Sequence, residues 1–235
     1  MSFILCTVQR SFLSSRNINQ KPIVENCMIN LFKSNPSDEV SPLQVHCYGD
    51  PVLRERSVPV ESVTPEIREL AERMIVTMFQ EETRGIGLAA PQIGRTIRLI
   101  TLATEAEPYI PPPDASPGER MLGPQMPIAL VNPEILSFSS VQATATEGCL
   151  SIPEIFGNVT RPANVRLRAM TLDGRALDIE CGGMLARCLQ HEIDHLDGTL
   201  FVDRWTNESA EPMLPKLEAL EKRVRRKLKK RRPRV

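Results

Sequence analysis

The spacing of apolar side chains marks the clearest helix in the chain. Thr64 is a suitable N-cap and Pro65 fits the first helical position; Ile67, Leu70, Ala71, Met74, Ile75 and Met78 then recur at i, i+3, i+4 and i+7. This predicts a helix over residues 64–79 with one buried face, stopped by Gly85. A second helix is expected from about Gly183 to Leu196, ended by Gly198. Strands are expected at residues 97–101, 128–131 and 134–142. Val165, Leu167 and Ala169 alternate with Arg166 and Arg168; Asp173-Gly174 and then Ala176, Leu177 and Ile179 complete the pattern of a hairpin. Near the end, Leu217, Leu220, Val224 and Leu228 return at helical spacing, which predicts an amphipathic C-terminal helix.

Other stretches lack such a period. Residues 1–42 show none, and the ordered domain is expected to begin near Val45, with a turn at Gly49-Asp50-Pro51. Seven prolines between residues 104 and 127 are read as excluding regular structure, so this stretch is expected to be a surface insertion. The chain thus divides into an N-terminal extension (1–42), an ordered domain (43–205) and a C-terminal helix or tail (206–235). The first 24 residues are rich in Ser and Arg and poor in acids, as transit peptides are. The plainer alternatives are a disordered extension or a true start at Met28. The expected location is the cytoplasm, or an organelle if residues 1–42 direct import.

Composition narrows the class. A chain of 235 residues with 41% hydrophobic and 25% charged positions suits one packed domain with tails. No apolar run approaches the ~18–20 residues of a membrane span, so no membrane partner is expected. The formal net charge is zero, yet residues 216–235 carry eleven Lys or Arg against Glu218 and Glu221, a surplus of +9 balanced by −9 elsewhere. Such a basic arm on an acidic body points to a polyanionic partner. The six cysteines form no C-x-x-C pair and no dense framework, which suits a reducing compartment.

The chemistry concentrates in His191-Glu192-Ile193-Asp194-His195, inside the second predicted helix. Histidines four apart share a helical face and reach one ion, and Glu192 stands beside them to handle a proton. The plain alternative is a histidine pair on an amphipathic helix, yet two of only three histidines in the chain fall here. A third ligand is required. Asp203, Glu208, Glu211, Glu218 and Glu221 lie downstream; Cys149, beside Gly148, lies upstream. A lone cysteine is ordinarily a small buried hydrophobe, so spacing alone leaves this choice open.

Three ordered segments carry a resemblance: Gly85-Ile86-Gly87-Leu88-Ala89-Ala90-Pro91-Gln92, then Glu147-Gly148-Cys149-Leu150-Ser151, then Gln190-His191-Glu192-Ile193-Asp194-His195. Together with Gly49-Asp50-Pro51-Val52-Leu53-Arg54, they resemble the peptide deformylase family in order and spacing, over about residues 45–203. The resemblance implies an α+β fold in which small antiparallel sheets surround a central metal-binding helix, with a second helix packed outside and a C-terminal helix. It implies a hydrolase that removes the formyl group from the N-terminal formyl-methionine of nascent chains and releases formate. By the same resemblance, Cys149, His191 and His195 bind the metal and Glu192 is general base and acid. The Gln92 side-chain amide and the Leu150 backbone N–H meet the formyl oxygen, and Gly87 bonds the peptide backbone. Ile86, Leu88, Met184 and Cys188 wall the methionine pocket.

One thiolate and two imidazoles would by themselves suggest Zn²⁺; the resemblance implies Fe²⁺, with Zn²⁺, Ni²⁺ or Co²⁺ as other occupants. It also gives the basic C-terminal helix a role in ribosome contact, in keeping with its charge. A monomer is expected. Two rival readings are a metallopeptidase with another third ligand, and a non-enzymatic RNA- or ribosome-binding protein with a structural metal. A structural site would need neither Glu192 nor Gln92.

Overall fold

The computed structural model describes residues 41–80, 85–105 and 109–231; the expectations for residues 1–40 fall outside these. Among the described residues the α-helices are α1 (Pro65–Met78), α2 (Pro117–Leu122), α3 (Gly183–Leu196), α4 (Asn207–Ala210) and α5 (Leu214–Arg231). The strands there are β1 (Gly87–Ala89), β2 (Leu99–Leu102), β3 (Ile128–Phe138), β4 (Gln142–Cys149), β5 (Ile152–Pro162), β6 (Val165–Thr171) and β7 (Ala176–Cys181). All pairings between strands are antiparallel: one sheet has the order β1-β2-β3-β6-β7, and β4-β5 form a separate hairpin. The α+β expectation holds.

Strand alternation divides the core. Leu99 and Val131 face α1, packing with Leu70, Met74 and Met78. Their neighbours Ile100 and Leu130 face the other way, packing with Leu185, Leu189, Ile193 and Leu196 of α3. The large sheet is therefore held between α1 and α3, and each leucine removed from water contributes roughly 1.5–3 kcal/mol before entropy is counted. A third cluster joins the β4-β5 hairpin to the C-terminal region through Cys149, Ile152, Val159, Phe201, Leu217 and Leu220. The C-terminal helix is thus anchored by its first turns, whereas Arg225, Arg226, Lys227, Lys229 and Lys230 are exposed.

Several local expectations need correction. The two strands expected at 128–131 and 134–142 are one strand, β3, carrying a register shift between Val131 and Glu134. Asn132 has φ 50° there, a left-handed conformation that Asn tolerates, and Pro133 follows it, so the pattern broke without the strand ending. Gln142 opens β4 instead. The proline-rich stretch contains regular structure after all: α2 has Pro117 in its first turn, and a capping box links Ser116 to Glu119. The β4-β5 hairpin was not foreseen beyond the segment around Cys149. Among the described residues, no helix is long and apolar enough to cross a membrane.

Candidate active site

The three apolar clusters meet around one buried polar group. Helix α3 carries His191 and His195 one turn apart, and the end of β4 brings Cys149 to them. The Cys149 Sγ lies 3.2 Å from His195 Nε2. One ligand atom from each of Cys149, His191 and His195 falls within 4.8 Å of the others, and all three side chains are buried. Of the downstream acids considered as a third ligand, Asp203 is engaged elsewhere, by the Arg54 guanidinium and the Leu200 N–H. The thiol is the group that the fold brings to the imidazoles.

A buried carboxylate orients one of those imidazoles. Glu147 Oε2 accepts from His191 Nδ1 at 3.0 Å, which directs the protonated ring nitrogen away from Cys149 and leaves Nε2 for a ligand role. The same carboxylate accepts from Arg161 Nε at 2.7 Å and Nη2 at 2.9 Å, and from Arg187 Nη1 at 2.7 Å. Burial opposes charge on Glu147, but the hydrogen bonds from His191 and Arg161 outweigh it and hold the carboxyl far below its usual range. The sequence reading quoted Glu147 without giving it a role and missed both arginines. A signal was present: Arg187 interrupts the apolar stripe of α3, and Arg161 has the inward parity of Ile155 and Val159 on β5.

Glu192 is buried beside the cluster, between its two histidines on α3. Its Oε2 is buried without a hydrogen-bond partner, as is His195 Nδ1. Each such orphan costs on the order of 1–3 kcal/mol, which marks a site prepared for something beyond its own side chains. Burial pushes the Glu192 carboxyl up to about 7, and burial likewise holds His195 well below its ordinary value, hence neutral. Two imidazoles beside a thiol are the donor set that a soft or borderline divalent ion takes, so these residues fit a metal.

The remaining predicted residues surround this group. Gln92 sits in the short 3-10 turn after β1; its Oε1 accepts from the Ala89 N–H at 2.8 Å, so its amide N–H₂ is turned inward, 3.4 Å from Cys149 Sγ and 3.2 Å from Ser151 Oγ. Leu150 follows Cys149 in the two-residue connection of the hairpin, where Cys149 pairs with Ile152. Gly87 begins β1, the edge strand of the large sheet, and a Cβ there would meet the Glu192 carboxylate and, at 2.7 Å, Cys188 Sγ. Met184, Cys188 and Glu192 form a row along α3 at i, i+4 and i+8, with Met184 half-buried and the Cys188 thiol 3.5 Å from the Ile86 carbonyl. Leu88 is not brought to this row: it is buried in the α1-side cluster, which also holds Leu150.

A cavity of about 960 Å³ opens on the far side of α3, lined by Gln190, Ile193, Asp194 and Asp197 of that helix. Its charged floor is internally matched: Arg161 and Arg204 hold Asp194, while Arg98 holds Asp197. The buried thiol–imidazole group, rather than this larger space, carries the chemistry.

A buried cysteine and two buried histidines, flanked by an orphaned acid and an inward-turned amide, define a metal-dependent hydrolase. Comparison with known proteins specifies the kind. The polypeptide deformylase family model matches residues 42–211, and the chain belongs to that family. Peptide deformylase 2 of Gloeobacter violaceus is 44% identical over 169 residues, covering 72% of this chain and 82% of that protein. A peptide deformylase of Rhodopseudomonas palustris is 44% identical over 174 residues, covering 74% and 91%. Among solved structures, peptide deformylase 1B of Arabidopsis thaliana with an inhibitor aligns with a TM-score of 0.67 at 33% identity, covering 79% of this chain and 93% of that one. The Synechococcus elongatus peptide deformylase in complex with actinonin aligns with a TM-score of 0.63 at 36% identity, covering 74% and 87%.

Proposed function

We propose that Cys149, His191 and His195 hold one divalent ion, iron(II) first, with zinc, nickel or cobalt as other occupants, in an enzyme that removes the formyl group from formyl-methionyl nascent chains. The observation that carries this reading is the meeting of the Cys149 thiol with two imidazoles directly beside Glu192 and Gln92. When bound, such an ion supplies Lewis acidity near neutral pH.

The chain's own groups do the rest. Glu192, one residue from His191 on α3, takes a proton from the attacking water and returns it to the departing amine. The Gln92 N–H₂, fixed by its own Oε1 contact, and the Leu150 backbone N–H meet the formyl oxygen as negative charge develops there. The substrate backbone pairs along β1 at Gly87, an edge that strand addition can use. Its methionine side chain lies among Ile86, Met184 and Cys188, whereas Leu88 packs on the α1 side of the sheet. The metallopeptidase alternative is not favoured.

The exposed basic end of α5 suits contact with ribosomal RNA, and the enzyme is read as a cytoplasmic monomer, or an organellar one if residues 1–42 direct import. The test is to strip the metal by chelation, restore iron(II) anaerobically or zinc in parallel, and follow formate release from a formyl-Met peptide. Recovery of turnover by iron(II) is expected. Turnover by the stripped protein, or none with any of the ions, contradicts the reading.

A further inference from the structure

Two structural units must meet to assemble the ligand cluster: the β4-β5 hairpin brings Cys149, and α3 brings both histidines. Arg187 is one of several buried side chains that span the junction. Arg187 lies one turn before His191 on α3, and its Nη1 donates to Glu147 Oε1 at 2.7 Å while His191 Nδ1 donates to Glu147 Oε2 at 3.0 Å. The helix thus grips a single carboxylate twice, one oxygen from each of two successive turns. Arg187 also reaches the backbone of both arms of the hairpin. Its Nη2 donates to the Ala143 carbonyl of β4 at 2.5 Å, and its Nη1 to the Val159 carbonyl of β5 at 3.1 Å.

We propose that Arg187 is a positioning residue for the metal site: it fastens the Cys149-bearing hairpin to the His191-bearing helix and so sets how thiol and imidazole face each other. This rests on the reading of Cys149 and His191 as ligands. Arg161 holds the same carboxylate, but it belongs to the hairpin itself. Its ties to α3 run through the Asp194 side chain and through Glu147. Among the described residues of α3, Gln190 reaches the hairpin backbone only at the Pro162 carbonyl of β5, whereas Arg187 bonds the backbone of both strands. A planar guanidinium serves all of these partners at once, whereas an ammonium is a single point of charge. The plainer reading is that Arg187 only fills space, its stem packed and its charge balanced by Glu147. The two readings differ in what Arg187→Lys does, since lysine keeps the charge and much of the stem but not the fork.

The test uses full-length protein loaded with Co²⁺ under anaerobic conditions, comparing wild type, R187K, R187M and, as a control for loss of an arginine pair, R166M on the exposed face of β6. Metal content, the thiolate-to-cobalt absorption band, the rate of cobalt loss to a chelator and the melting temperature of each metal-free protein are recorded. The proposal predicts a displaced band and cobalt loss faster by on the order of 10–100-fold in R187K and R187M, with R166M like wild type. R187K is the deciding variant if R187M does not fold. A folded R187K with wild-type band and wild-type cobalt loss overturns the role of Arg187. Wild-type protein that takes up cobalt without a thiolate band overturns instead the ligand assignment beneath it.

Discussion

Gly87 and Glu192 share one space: a Cβ on residue 87 would lie against Glu192 Oε1, and the carboxylate occupies the room that the glycine leaves. Residue 87 therefore serves Glu192 as well as the open strand edge. Gly87→Ala should push the carboxylate or β1 aside while leaving the metal ligands intact. Turnover of a formyl-Met peptide is expected to fall on the order of 100-fold, the scale of an ~1 Å misplacement, with metal content unchanged. Full activity in this variant would show that Glu192 has room to spare.

Glu192→Gln separates proton transfer from metal binding. The variant should keep its ion and lose on the order of 10²–10⁴-fold in turnover. Near-normal formate release would mean that another group moves the proton.

The same residue sets a pH dependence in the metal-free protein. Burial raises the Glu192 carboxyl from 4.5 to about 7. A raised folded value means that the folded state binds the proton more tightly, so the contribution to stability is full below 4.5 and lost as pH rises through about 7. Its size is on the order of 3 kcal/mol. Metal-free Glu192→Gln should therefore gain stability relative to the parent between pH 5 and pH 8, read as the difference in urea midpoints across that range. Parallel curves for the two proteins would contradict a raised carboxyl.

Helix α5 should behave as two halves. Leu217 and Leu220 are buried in the cluster that contains Cys149, so Leu→Ala at either position is expected to cost about 2–5 kcal/mol. Removing residues 225–235 takes away eight basic side chains and leaves both leucines in place. That truncation should keep the melting temperature and peptide turnover, yet co-sediment poorly with ribosomes. A truncated protein that pellets as well as the full chain would remove the arm from ribosome contact. Cutting before Leu217 tests something else, because it opens the core.

The sequence revealed most where one physical pattern dominates. Helix α1 was legible because Leu70, Met74 and Met78 recur on one face, and the end of α3 because Gly198 follows it. The β6-β7 hairpin was legible because Val165, Leu167 and Ala169 alternate with arginines around an Asp-Gly turn. The β4-β5 hairpin was hidden for the opposite reason. Ala143, Thr144, Ala145 and Thr146 give no hydrophobic alternation, and its buried positions include Glu147 and Arg161. Helix α2 was obscured by counting prolines rather than placing them, since Pro117 follows the cap residue Ser116. The cluster of Cys149 and two histidines followed from motif order, but the charged groups that hold it needed three-dimensional placement: Glu147, Arg161 and Arg187 come from three separate elements.

The central claim is that Cys149 completes the metal site with His191 and His195. X-ray absorption at the metal edge of zinc-loaded protein tests it most directly, with Cys149→Ser as the comparison. One sulfur at ~2.3 Å and two imidazole nitrogens at ~2.1 Å are expected for the wild type, with the sulfur contribution lost in Cys149→Ser. A wild-type spectrum without sulfur, or one that Cys149→Ser leaves unchanged, would contradict the account.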